Sequence, residues 1–255
     1  MDVLSKFRLD KKVCVVTGAS KNIGLEISRA FADVGATVCM VALEEDLLED
    51  GAENLRAMGA KVATVTADVS TPAGCGLVID VVQGKFGHAD VLVNCAAVSG
   101  GTHDVDPLLI DHGVWQTVLE TNLLGPYRLI AGLGAGMRSG SGGSIINVLS
   151  GAGFLPTPGS TPYGVSKSAL WTLTRYMATE LAPHIRVNAL VPGLTMSETG
   201  GPQPSSRVDE VLMPLIPLGR AGHPTEVAPA AVYLASEAAS YTTGTVLFVN
   251  GGRLW

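Results

Sequence analysis

A doubly wound α/β fold is predicted for this 255-residue chain: one domain over residues 1–255, with a parallel sheet of about seven strands and helices on both faces. Three observations predict it. Short, β-branched apolar runs alternate with longer helical segments from one end of the chain to the other. The first such run breaks into a glycine turn that opens a helix. The composition, 47% apolar and only 16% charged with 31 glycines, suits an aliphatic sheet buried between helices.

The first strand is Lys12 to Thr17, Lys-Val-Cys-Val-Val-Thr, the pattern of a strand buried in a parallel sheet. It ends at Gly18-Ala19-Ser20-Lys21-Asn22-Ile23-Gly24. A helix over 22–34 follows, with Ile23, Ile27, Ala30, Phe31 and Val34 on one stripe and Gly35 as its stop. Further strands are expected near 37–42, 61–66, 90–93, 143–149, 185–191 and 245–249. Helices near 44–58, 72–86, 112–137, 161–183 and 224–237 separate them, as right-handed crossovers require. Gly125-Pro126 falls inside the helix near 112–137, where it disturbs the hydrogen-bond ladder. The longest irregular stretch runs from Pro192 to about Pro217. It follows the carboxyl end of a strand, where open sheets bind ligands, so a substrate lid is expected over about 194–216.

Two features carry chemistry. In the glycine turn, Gly18 allows a tight bend and Gly24 a close approach of helix to sheet, so that backbone N–H groups face a pyrophosphate. Asn22 stands where a middle glycine is expected, and Asn is the non-glycine residue that best tolerates a left-handed backbone. Further on, Tyr163 and Lys167 lie four residues apart, on one helix face, and Ser150 lies thirteen residues before Tyr163 at the end of the run Ile145 to Leu149. A neighbouring ammonium favours a phenolate, so Tyr163 is expected to have a lowered pKa and to act as general acid or base. Ser150 is placed to hydrogen-bond the same carbonyl oxygen.

On these residues the chain resembles the short-chain dehydrogenase/reductase family over nearly its whole length. Thr17-Gly18-x-x-x-Asn22-Ile23-Gly24 resembles the family's Thr-Gly-x-x-x-Gly-x-Gly turn, with Asn for the middle glycine. Asn94-Cys95-Ala96-Ala97 resembles Asn-Asn-Ala-Gly, with two departures, and Asp68 resembles the acid that holds the adenine. Asn122, Ser150, Tyr163 and Lys167 match the catalytic tetrad, and Pro192-Gly193 with Thr195 resembles the segment that clasps the nicotinamide. The resemblance implies a Rossmann-type domain that moves hydride between a nicotinamide and a ketone or secondary alcohol. Lys167 would also bind the nicotinamide ribose, and Asn122 would hold a water linking Lys167 to solvent. The implied cofactor contacts are Gly18, Ser20, Lys21, Asn22, Ile23, Gly24, Ala42, Leu43, Asp68, Val69, Asn94, Ala96, Tyr163, Lys167, Pro192, Gly193 and Thr195.

An acid at the end of the second strand would select NAD(H) by binding the ribose hydroxyls. Ala42 and Leu43 occupy that position, whereas Lys21 stands where NADP-preferring members of the family carry a basic residue. NADP(H) is therefore expected, with NAD(H) kept open by Glu44 just downstream. Pocket walls are expected from Gly151 to Leu155, Val98, Leu194, Met196, Leu212 and Met213, with Glu198, Arg207, Asp209 and Glu210 the few charges. That lining suits a largely apolar or neutral ketone better than a sugar acid. A β-ketoacyl carrier-protein reductase is the alternative within the family, weakened by the single arginine of Met137-Arg138-Ser139-Gly140-Ser141-Gly142-Gly143. A non-catalytic dinucleotide sensor is the alternative outside it, and the presence of both Tyr163 and Lys167 argues against that.

The net charge of −6 argues against nucleic acid or an anionic membrane as partner. No apolar run reaches membrane-spanning length, and the first residues do not read as a signal peptide. Cys14, Cys39, Cys75 and Cys95 show no paired spacing, so buried thiols in a cytoplasmic protein are expected. The five histidines show no ligand spacing, and no catalytic metal is expected. A homotetramer is expected from the apolar end Thr245 to Val249 and the terminal Leu254-Trp255. In the family this end packs across one twofold axis, and the helices near 112–137 and 161–183 across another.

Overall fold

The structure is a computed structural model that describes residues 2–196 and 213–253. Among these, seven strands form one wholly parallel sheet: β1 Val13–Thr17, β2 Thr37–Ala42, β3 Lys61–Thr66, β4 Val91–Asn94, β5 Gly143–Val148, β6 Ile185–Pro192 and β7 Val246–Val249. Their spatial order is β3-β2-β1-β4-β5-β6-β7. Val15 pairs with Cys39 on one side and Leu92 on the other, so the order reverses at β1. The crevice beyond the carboxyl ends of β1 and β4 is therefore the place where such a sheet receives a ligand.

Side-chain alternation along each strand feeds two cores. Cys14, Val16, Met40, Val93 and Ile146 pack with α1 (Asn22–Asp33), α2 (Glu45–Ala57) and α7 (Pro224–Ala235), through Ile27, Phe31, Leu48, Leu55 and Ala231. Val15, Cys39, Leu92 and Ile145 face the other way. They meet Val78 and Val82 of α3 (Pro72–Phe86) and Leu129, Leu133 and Met137 of α5 (Gly125–Ser139). A smaller cluster, Leu149, Leu170, Ala189 and Val191, seats α6 (Thr161–Glu180). Thr71 caps α3 by accepting from the Gly74 N–H at 3.0 Å, with Pro72 in the first turn where it forfeits no ladder bond.

One expected element is divided. The helix near 112–137 is α4 (His112–Leu119), a π turn at Glu120–Leu124 and then α5. The break lies where Gly125-Pro126 was expected to disturb the ladder. Pro126 lacks an N–H, and Gly125 lies so close to the Val69 carbonyl that a Cβ there would clash with it. Of the expected 194–216 lid, residues 197–212 lie outside the described residues, as do Leu254 and Trp255. Among the described residues no helix is long and apolar enough to cross a membrane.

Candidate active site

The glycine turn is shaped by backbone demands. Gly18 has φ +65° and Asn22 φ +50°, the left-handed conformation expected of an asparagine at that place. A Cβ on Gly24 would overlap the Gly18 carbonyl, and one on Gly18 would come within 2.9 Å of the Ala96 backbone. Thr17 ties the turn to the β4 loop, its Oγ1 accepting from the N–H groups of Cys95 (3.0 Å) and Ala96 (3.1 Å). Lys21, at the N-terminal boundary of α1, makes no side-chain cap, and Asn22, Ile23 and Gly24 of the first turn border the cleft.

That cleft has a volume of about 660 Å³. Gly18, Ser20, Lys21, Asn22, Ile23, Gly24, Ala42, Leu43, Asp68, Val69, Ala96, Ser150, Tyr163, Lys167, Pro192, Gly193 and Thr195 all line it. Two expected site residues do not. Asn94 is buried, donating to Asn147 Oδ1 at 2.8 Å, and Asn147 in turn donates to Thr174. Asn122 is also buried, within the π turn. Its carboxamide accepts from the Val98 N–H at 2.9 Å and donates to the Val98 carbonyl (2.9 Å) and Ser166 Oγ (3.0 Å). The Asn122 side chain thus clamps the β4 loop to α6.

At the far end of the cleft, Ser150 leaves β5 in an extended conformation and caps a short turn at Gly151–Gly153. Its hydroxyl accepts from the Ala152 N–H at 3.3 Å and faces the same cleft as Tyr163. Lys167 is 1% exposed, donates to the Val148 carbonyl at 2.8 Å, and lies 5.6 Å from the centroid of the Tyr163 ring. The expected lowering of the phenol pKa is not met. Burial pushes Tyr163 above its ordinary value, the Ser150 hydroxyl opposes this, and nearby Cys95 adds to the rise. Burial also drives Lys167 down to about 8, with Cys95 opposing. Lys167 is enclosed between α6 and the end of β5, whereas Tyr163 is partly buried and lines the cleft.

The substrate walls also differ from expectation. Gly151, Val98 and Leu194 line the cleft, whereas Leu155, Met196 and Met213 do not. Leu212, Glu198, Arg207, Asp209 and Glu210 lie outside the described residues. Ser99, His103, Thr157, Ser160 and Arg253 contribute polar groups that no motif marked. Two of the loops concerned are tied together by Thr102 Oγ1, which donates to the Gly159 carbonyl at 2.6 Å. Among the described residues no three His, Cys, Asp or Glu side chains gather as a metal site requires.

Comparison with known proteins gives this geometry its family. The profile of the family described as enoyl-(acyl carrier protein) reductase matches residues 18–253. The chain is a short-chain dehydrogenase/reductase. It is 36% identical over 248 residues to the A-factor type gamma-butyrolactone 1'-reductase of Streptomyces virginiae, covering 96% of each chain. It is 37% identical over 256 residues to galactitol 2-dehydrogenase (L-tagatose-forming) of Cereibacter sphaeroides, covering 99% of this chain and 98% of that one. Its fold superposes on L-sorbose reductase from Gluconobacter frateurii, solved with NADPH and L-sorbose, at a TM-score of 0.91 with 33% identity and 98% of both chains covered. As a member of the family it is an oxidoreductase of alcohol and carbonyl groups with a nicotinamide cofactor.

Proposed function

We propose that this single-domain enzyme is an NADP(H)-using ketone reductase, reversible toward the secondary alcohol. The observation that carries the reading is the joining of Ser150, Tyr163 and Lys167 in one cleft that the glycine turn also lines. The turn fits a dinucleotide: Gly18 and Gly24 leave no room for a Cβ, and the N-terminal turn of α1, without a side-chain cap from Lys21, borders the cleft where a pyrophosphate would lie. When bound, the dinucleotide supplies or accepts the hydride. Tyr163 gives its phenolic proton to the carbonyl oxygen, and Ser150 hydrogen-bonds and orients that oxygen. The raised phenol pKa keeps this proton in place at neutral pH, as reduction requires. Lys167, which titrates near 8, is the group able to return a proton to Tyr163. Asn122 acts as a positioning residue, holding the β4 loop against α6.

A neutral, hydroxyl-bearing ketone fits the walls best, because Ser99, His103, Thr157 and Ser160 stand beside Val98 and Leu194. The likeness to the galactitol and L-sorbose enzymes supports that class. Lys21 is the cation at the adenosine end of the cleft and supports NADP(H). Exposed Tyr127, Val165 and Tyr176 on α5 and α6, with Phe248 on β7, supply apolar surface for a homotetramer in the cytoplasm.

The test is dinucleotide absorbance decay with ketoses and plain ketones. Tyr163→Phe should lose about 10²–10⁴-fold in kcat while keeping nearly full dinucleotide affinity. Equal turnover by Tyr163→Phe and the wild type would remove the mechanism.

A further inference from the structure

The end of the cleft beyond β1 and β2 holds an arrangement that the overall reaction does not call for. Lys21, in the glycine turn, meets Glu44, the residue preceding α2: Nζ lies 2.7 Å from Oε1. Ser20, also in the turn, donates from Oγ to Oε2 of the same carboxylate at 3.1 Å. Both oxygens are thus engaged by the loop that would receive the dinucleotide. Lys21, Ser20 and Glu44 all line the cleft, beside Ala42 and Leu43. The Lys21 and Glu44 side chains remain 41% and 45% exposed, so either can be reached by a ligand.

Further acidic residues, Glu45 and Asp46, follow Glu44 in the first turn of α2. Among the described residues, the other Lys and Arg side chains lining the cleft are Lys167, buried below β5, and Arg253, beyond β7 at the opposite edge of the sheet from β2. Glu44 is thus the charged partner that Lys21 meets in the cleft. A 2′-phosphate arriving here must draw the ammonium away from Glu44 and lie beside that carboxylate. A ribose 2′-hydroxyl needs no such exchange, because Glu44 can accept from it while Lys21 stays in place.

Building on the dinucleotide reading above, we propose that Glu44 sets the cofactor selectivity of this enzyme as the counter-ion of Lys21. It holds the preference for NADP(H) narrow and keeps NAD(H) usable. Lys21 alone would discriminate strongly through a charge-assisted contact. With Glu44 present, that contact is bought by breaking another of the same kind. Removing the Glu44 charge releases Lys21 and abolishes the repulsion together.

The experiment is equilibrium titration of NADPH and NADH against the full-length protein, followed by the fluorescence of the reduced dinucleotide, for wild type, Glu44→Gln, Lys21→Met and the double variant. No side-chain cap of α2 is lost with Glu44, so the variants should fold, and a thermal melt checks it. Glu44→Gln should tighten NADPH binding by roughly five- to tenfold, the scale of an exposed charge pair plus a like-charge contact, and leave NADH unchanged or weaker. In the Lys21→Met background the same substitution should gain less than half as much. High salt should shrink the gain in the single variant. An unchanged NADPH-to-NADH ratio in Glu44→Gln, or an equal gain with and without Lys21, overturns the inference while leaving the reductase reading intact. Failure of the wild type to bind either dinucleotide overturns both.

Discussion

Replacing Lys167 by Met should make the unliganded protein more stable at neutral pH while destroying its activity. Lys167 is 1% exposed, and burial lowers its pKa from 10.5 to about 8. Between those two values the unfolded chain carries a proton that the folded chain has released. Stability therefore rises with pH across this window, and the penalty for the buried ammonium is fully present below pH 8. Integrating the shift gives a penalty of about 3 kcal/mol at pH 7 and about 1 kcal/mol at pH 9.5. Met has a similar shape but no Nζ, so the Val148 carbonyl loses its partner at 2.8 Å, a cost of about 1 kcal/mol at either pH. The variant should thus exceed the wild type by about 2 kcal/mol at pH 7, near 4–8 °C in Tm for a chain of this size, and match it near pH 9.5. Cys95, pushed up to about 11 by burial, stays a thiol at both values and does not blur the comparison. Thermal and urea unfolding of both proteins without dinucleotide provide the assay. A stability difference that does not narrow with pH would refute the reasoning, since it would mean that the ammonium is not penalised by its surroundings.

Two further outcomes are expected. Gly24→Ala should weaken dinucleotide binding at least about tenfold and cost roughly 1–3 kcal/mol of stability, because its Cβ overlaps the Gly18 carbonyl. Titration and melting check this, and wild-type affinity would show that the turn relaxes freely. Light scattering at micromolar concentration should give a mass about four times the 26.3 kDa of one chain. A mass of one chain defeats the tetramer, and a mass of two leaves a single interface.

The sheet and the turn were legible in the sequence because both rest on local chemistry. A strand buried in a parallel sheet reads as a near-continuous apolar run, as Val13–Thr17, Thr37–Ala42 and Val91–Asn94 do. Gly18, Asn22 and Gly24 answer to backbone geometry within seven residues, and Tyr163 and Lys167 to one helical turn. Even the π turn left a trace in Gly125-Pro126. What escaped depends on which loops meet. The Lys21–Glu44 pair joins residues 23 apart across two strand ends, and neither side chain declares its partner. Thr102 reaches Gly159 across 57 residues, and this contact draws together the loops carrying His103, Thr157 and Ser160, polar walls that no motif marks. The upward direction of the Tyr163 shift is hidden from the sequence for the same reason. Helical spacing reveals the nearby ammonium but not the burial of the phenol, and desolvation outweighs the rest. All of these contacts sit at the carboxyl edge of the sheet, where chain segments distant in sequence converge and periodicity has ended. A fold built this way can keep its strands and glycine turn constant while changing what its loops place in the cleft. The residues that distinguish one reductase from another are therefore those that local sequence patterns constrain least.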